Sequence, residues 1–139
     1  MDILLVDGYN MIGAWKELRA LKADKLIDAR DRLIEMMAEY KAFSGWRVIV
    51  FFDAHLVKKK KKKKKQYDVE VIFTRENETA DERIEKLTIQ LMTRRDQVHV
   101  ATSDLTEQWV VFAQGALRIS ARELEIEMEL VQENITKKV

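Results

Sequence analysis

The stretch Asp2-Ile3-Leu4-Leu5-Val6-Asp7-Gly8-Tyr9-Asn10 decides the fold. Four consecutive apolar residues, Ile3 to Val6, read as a strand buried on both faces, as in a parallel sheet covered by helices. Gly8 breaks the run and Asn10 opens a helical pattern, so Asp7 stands at the carboxyl end of the strand. In open α/β sheets ligands bind outside that edge. A carboxylate there costs free energy unless it is paired, and a divalent cation is the commonest partner.

Working outward, residues 11–21 read as a short helical segment. Asp24 is an expected N-cap for a long helix reaching about Phe43. Leu26, Leu33, Ile34, Met37 and Tyr40 form its apolar stripe, which only Arg30 interrupts. Ser44-Gly45 is a stop signal, and residues 47–52 form a second buried strand that again ends in Asp, at Asp53. Residues 69–73 make a third strand. Thr79-Ala80-Asp81-Glu82 matches a capping box for a helix ending near Arg94-Arg95. Residues 97–101 make a fourth strand that runs into Thr102-Ser103-Asp104. A helix over residues 105–114 stops at Gly115, and residues 116–119 make a short fifth strand. Ser120-Ala121-Arg122-Glu123 is a second capping box, opening a last helix to about Asn134. Strands alternating with helices predict an α/β, three-layer fold with a mostly parallel central sheet and right-handed crossovers. With 139 residues and no linker or repeat, residues 1–139 read as a single domain.

The chain has no Cys, which excludes disulfides, thiolate metal sites and Cys nucleophiles. No apolar run approaches the roughly 20 residues that span a bilayer, and the first residues are a strand rather than a basic leader. A cytoplasmic setting without membrane partners is the expectation. The net charge of +1 conceals an asymmetry. Lys58 to Lys65 is an unbroken run of eight lysines, and without it 17 Lys and Arg face 24 Asp and Glu, a net of −7. The body is acidic and carries one basic segment. That segment reads either as a phosphate-contacting arm, beginning with Lys58, Lys59 and Lys60, or as a solvated loop.

Three strands thus end in Asp7, Asp53 and Asp104, and Asp81 lies in the first turn of the helix after the third strand. Each alone is explained by a loop or a helix N-terminus. In a parallel sheet all four share one rim, where unpaired carboxylates repel. Mg²⁺ or Mn²⁺, which prefer oxygen ligands, are the economical counter-charge. Such a centre activates water and clamps a phosphodiester, as in metal-dependent nucleases. Asn10 is placed to support Asp7, although a helix cap explains it equally well. Glu85 lies one turn after Asp81 on the same side.

The segments Leu5-Val6-Asp7-Gly8-Tyr9-Asn10, Val50-Phe51-Phe52-Asp53-Ala54, Thr79-Ala80-Asp81, Ala101-Thr102-Ser103-Asp104 and Arg118-Ile119-Ser120-Ala121-Arg122-Glu123-Leu124 together resemble the YacP-like branch of the NYN domains, in the PIN-like nuclease superfamily. The likeness spans the chain. It implies a PIN-like α/β fold and divalent-metal-dependent endoribonuclease activity on messenger RNA in association with the ribosome. It also implies that Asp7, Asp53, Asp81 and Asp104 form the acidic metal pocket, with Asn10 in support. The lysine run departs from the family pattern.

Among the remaining residues, Tyr9 is a candidate for stacking on RNA bases. Ser103, Arg75 and Arg83 are candidates for holding phosphates, as are Arg118 and Arg122. His55 reads as the start of a loop, His99 as a packed strand histidine, and Trp109 as core. The alternative function is a non-catalytic RNA- or ribosome-binding module. Phosphotransfer classes fit poorly. Tyr9 occupies the position of a dehalogenase-like second Asp, and a Gly-rich phosphate loop is missing. No organic cofactor is implied.

Overall fold

The computed structural model describes residues 1–54, 68–92 and 95–137. Lys58, Lys59, Lys60 and the rest of the lysine run lie outside the described residues, as do His55 and Arg94. The elements run β1 (Asp2–Asp7), α1 (Gly8–Ala14), α2 (Lys16–Asp24), α3 (Leu26–Ser44), β2 (Arg47–Phe52), β3 (Glu70–Phe73), α4 (Ala80–Leu91), β4 (Gln97–Ala101), α5 (Leu105–Ala113), β5 (Leu117–Ile119) and α6 (Ala121–Lys137). The five strands form one sheet in the order β3-β2-β1-β4-β5, and every described pair is parallel.

Parallel pairing requires crossover helices, and these cover both faces. Leu4, Val6, Val48, Val50 and Phe52 pack towards α1, α2, α3 and α6. Their neighbours Ile3, Leu5, Ile49, Phe51, Val98 and Val100 pack towards α4 and α5. This alternation explains why β1 and β2 read as unbroken apolar runs. The order of the sheet reverses at β1, whose neighbours are β2 and β4, so the crevice at their carboxyl ends is the topological switch point. Among the described residues, no helix is long and apolar enough to cross a membrane.

Four local expectations are corrected. The segment at 11–21 is two helices, because Trp15 is extended (φ −82°, ψ 132°). Its fully buried indole donates from Nε1 to the Ala121 carbonyl at 2.8 Å, a partner 106 residues away that local pattern cannot reveal. Asp24 ends α2 instead of capping α3, and the extended residue between them is Lys25. Arg30 does not break the stripe of α3 by facing water. It is buried and donates to the Tyr9 hydroxyl at 3.3 Å. Trp109 is not core, being 66% exposed. Both capping boxes are present. Thr79 and Glu82 reciprocate at the start of α4, as do Ser120 and Glu123 at the start of α6. His99 lies stacked on Trp46 at 4.3 Å, with Nε2 2.9 Å from Asp2.

Candidate active site

Asp7 continues the side of β1 that carries Ile3 and Leu5, and therefore turns towards the layer of α4 and α5. The N-termini of those helices meet it there. Asp81 and Glu85 lie one turn apart on α4, and Asp104 and Glu107 begin α5. The helix N-termini bring partial positive charge to this edge of the sheet. That charge offsets the crowd of carboxylates only in part.

The cost of the crowding is visible in the titration of the group. Burial, then the charge of Asp81, pushes the Asp7 carboxyl up to about 7, with Asp53 adding to the effect. The Asn10 backbone amide, donating towards the Asp7 carboxylate, opposes this shift. Asp7 and Asp81 share a side-chain hydrogen bond, so a proton is held between the two carboxylates. Burial and Asp104 nevertheless leave Asp81 above the usual carboxylate range. Glu107 is 4% exposed, and its Oε1 has no hydrogen-bond partner among the described residues. Burial, then Asp81 and Glu85, pushes it up to about 8.

The other candidate residues hold the frame. Asp53 accepts from the Ala80 amide at 2.6 Å, fixing the start of α4. Asp104 accepts from the Thr106 amide at 2.9 Å and the Glu107 amide at 3.3 Å, capping α5. Asn10 Oδ1 accepts from the Ser103 amide at 2.7 Å, and Ser103 Oγ accepts from the Ala121 amide at 3.0 Å. Through these bonds α1, the β4–α5 loop and α6 are locked together around the pocket. Tyr9 packs edge-on against Phe52, with ring centroids 5.1 Å apart. Arg83 lies two residues beyond Asp81, which on a helix of 3.6 residues per turn is the opposite face. There it pairs with the buried Glu78 at 3.3 Å, and Lys86 reaches the same carboxylate at 2.9 Å. Lys86 first, then Arg83, holds Glu78 below the usual carboxylate range. Arg75 lines a groove of about 290 Å³ with these residues, so neither arginine belongs to the acidic pocket.

Among the described residues, no set of three or more acidic or histidine side chains is already arranged to hold a metal ion. The donor chemistry still fits one. Asp81 stands close enough to both Asp7 and Asp104 for their charges to act on it, and among the described residues these three carboxylates have no basic partner and the buried Glu107 Oε1 has no hydrogen-bond partner. Mg²⁺ is commonly held by one or two carboxylates plus water, so a preformed cage is not required. Glu107 was missed in the sequence, where it reads as an ordinary first-turn Glu. The available signal was its position three residues after Asp104, on the same helix face.

The model of the YacP-like NYN domain matches residues 4–139. The chain belongs to the YacP-like NYN domain family. It is 63% identical over 139 residues to the uncharacterized protein YacP of Bacillus subtilis (strain 168), covering all of this chain and 82% of that protein. It is similar to the crystal structure of Rae1 (YacP) from Bacillus subtilis, with 62% identity and a TM-score of 0.89 over 99% of this chain and 79% of that one. The W164L mutant of Rae1 matches with 59% identity and a TM-score of 0.87, over 99% of this chain and 80% of the other. NYN domains are RNase-like nuclease domains that typically use divalent metals, so the family and the acidic switch point agree in kind.

The titration of the pocket carries a prediction for the metal-free protein. The folded state binds more protons than the unfolded chain between about pH 4 and pH 8, because Asp7 and Glu107 titrate near 7 and 8 when folded. Stability therefore falls as pH rises through that window and levels off above it. Each shift is about three pKa units, so at 1.36 kcal/mol per unit the loss amounts to several kcal/mol in all. Urea unfolding in EDTA at pH 5 and pH 8 measures it, and greater stability at pH 8 would contradict the account.

Proposed function

We propose that this protein is a divalent-metal-dependent endoribonuclease that cleaves messenger RNA presented by the translating ribosome in the cytoplasm. The observation that supports this reading is the grouping of Asp7 and Asp104 around Asp81, with no basic partner among the described residues, at the switch point of an NYN sheet. These three residues would hold Mg²⁺ or Mn²⁺. The bound ion would lower the pKa of water and neutralise charge developing on a phosphodiester. Asp53 contributes by anchoring the helix that carries Asp81. Asn10 and Ser103 contribute by fixing the loop that carries Asp104. Tyr9, two residues after Asp7, would be the ring on which a base stacks.

The ribosome enters this proposal through charge. Outside the lysine run the chain carries a net −7, and free RNA is repelled by such a body. A partner that holds the message overcomes that repulsion, and the lysine run suits contact with ribosomal phosphates. The test incubates the protein with a ribosome-bound message in Mg²⁺, in Mn²⁺ and in EDTA. Cleavage with either cation and its loss in EDTA are expected. Equal cleavage in EDTA would overturn the metal assignment. Binding without cleavage in any cation would favour the non-catalytic module.

A further inference from the structure

We propose that Arg30 and the hydroxyl of Tyr9 form a phosphate-binding subsite that holds a backbone phosphate of the RNA strand beside the acidic rim. The inference rests on the nuclease reading above and deepens it by naming the groups that take the charge of the substrate. Arg30 is 8% exposed. A guanidinium shielded from water is costly unless a counter-charge and hydrogen-bond acceptors meet it. Its own helix supplies no counter-charge. The residues at i±3 and i±4 are Leu26, Ile27, Leu33 and Ile34, all apolar. Other arginines find a carboxylate. Arg32 pairs with Glu17, Arg47 with Glu70, and Arg83 with Glu78. Among the described residues Arg30 has no ion pair, and its guanidinium donates only to the Tyr9 hydroxyl, at 3.3 Å.

The pair presents donors that lack acceptors. A guanidinium has several N–H donors, and Nη1 spends one on Tyr9. Because that bond makes the Tyr9 oxygen the acceptor, the phenolic proton is left to donate, and among the described residues nothing accepts it. Tyr9 is partly exposed, so this end of the pair opens to solvent, while Leu33 and Ile34 beside Arg30 belong to the core. Donors without acceptors around an uncompensated positive charge match an oxyanion. The hydroxyl lies at the tip of the ring, so a phosphate bound there leaves the ring face for a base.

Topology puts the pair at the rim. α3 leads into β2, and a helix that crosses over between parallel strands runs against them, so its first turns lie at the carboxyl edge of the sheet. Arg30 is in the second turn of α3, and Tyr9 is two residues after Asp7. Asp7 turns towards the layer of α4 and α5, whereas Tyr9 packs on Phe52 in the layer of α1 and α3. Among the described residues, one side of β1 thus gathers carboxylates without a basic partner, and the other a guanidinium without an acidic one. Arg30 is not among the groups that set the titration of Asp7 or Asp81, so it is not their counter-ion. A ligand that satisfies both sides carries anionic groups in series, as a phosphodiester strand does. A cation at the carboxylates takes the scissile phosphate, and Arg30 with Tyr9 takes a neighbouring one. The subsite therefore acts on a message that the ribosome has already brought to the rim.

The test titrates ¹⁵N-labelled wild type with the dinucleotide UpU, which carries a single phosphodiester, in EDTA, where cleavage is suppressed. It follows the Nε–H signal of Arg30, identified by sequential assignment and checked by its absence in Arg30→Lys. The signal is expected to move and to saturate at millimolar UpU, whereas acetate at the same concentration leaves it in place. Tyr9→Phe is expected to weaken the UpU response about 5-fold, since one donor is lost. On a ribosome-bound message in Mg²⁺, Arg30→Lys is expected to raise KM about 10-fold and to change kcat less than about 2-fold, because a point charge replaces a fork of donors. An Arg30 signal that ignores UpU overturns the subsite, as does a wild-type KM in Arg30→Lys. Equal movement with acetate also overturns it, since the position then takes the carboxylate of a protein partner. An unmoved signal together with cation-dependent cleavage leaves the nuclease reading standing. A response to UpU without cleavage in any cation removes the nuclease reading and keeps the phosphate subsite.

Discussion

Asp7→Asn is expected to lower RNA cleavage by about 10³-fold or more while making the metal-free protein more stable at pH 8. The two effects have one cause. Asp7 is a carboxyl whose burial and charged neighbours hold its pKa near 7, so its ionised form is costly in the folded state. Asn has nearly the same shape, stays neutral and can donate to Asp81. The substitution thus removes a repulsion, and a gain of about 1–3 kcal/mol follows at pH 8. The same carboxylate is one of three proposed to hold the cation. Losing several kcal/mol of charge stabilisation costs a factor of ten in rate for each 1.36 kcal/mol. Asp81→Asn is expected to behave alike, because the two groups share one hydrogen bond. The measurements are cleavage of a ribosome-bound message and thermal unfolding in EDTA, made on the same preparations. Activity equal to wild type would remove Asp7 from the reaction. Lost activity with lowered stability would mean that the variant fails through its fold.

The carboxylate rim could be read from the sequence because each of its parts is local. Residues 3–6 and 48–52 are apolar on both faces, so the strand type and its end are fixed by a few neighbours. Thr79 with Glu82 declares the start of α4, and Asp81 follows from it. The parallel sheet then brings the strand ends together. What escaped depends on distant partners. The break at Trp15 is held by a bond to Ala121, and the burial of Arg30 by the Tyr9 hydroxyl. Arg83 fits a phosphate contact by its type, but helical phase puts it on the Glu78 side. Trp109 reads as core because it sits with Val110 and Phe112 in an apolar helix. Only the packing of α5 reveals that Val111 faces inward and Trp109 outward. Glu107 was unremarkable until α4 was set against α5, which surrounds it with Asp81 and Glu85.

Gly8→Ala is expected to be the most destabilising single-methyl change in the chain, at roughly 3 kcal/mol or more. The backbone conformation is not the reason, since the only positive φ angles among the described residues are at Gly45 and Gly115. The reason is space. A Cβ at Gly8 would run into the ring of Phe52 and come within 2.8 Å of the Phe51 carbonyl oxygen. Neither obstacle can yield cheaply. Phe52 is fully buried and held between Tyr9 and Phe73, with ring centroids 5.1 and 5.7 Å away. Phe51 stands opposite Asp7 in the pairing of β1 with β2, so moving its carbonyl disturbs the centre of the sheet. Overpacking of this kind typically costs about 1–3 kcal/mol even where side chains can adjust, and here a backbone atom is struck as well. A fall in Tm of about 10 °C is the expected reading for a domain of this size. The consequence for the site follows from position. Gly8 is the first residue of α1 and directly follows Asp7, so any relief of the clash shifts Asp7 against Asp81. A folded fraction of Gly8→Ala at low temperature is therefore expected to cleave RNA poorly. Calorimetry of Gly8→Ala beside Gly13→Ala separates the two ideas, because a Cβ at Gly13 meets nothing within 4 Å and α1 gains helix propensity there. If both variants melt with the wild type, close packing at the end of β1 does not position Asp7.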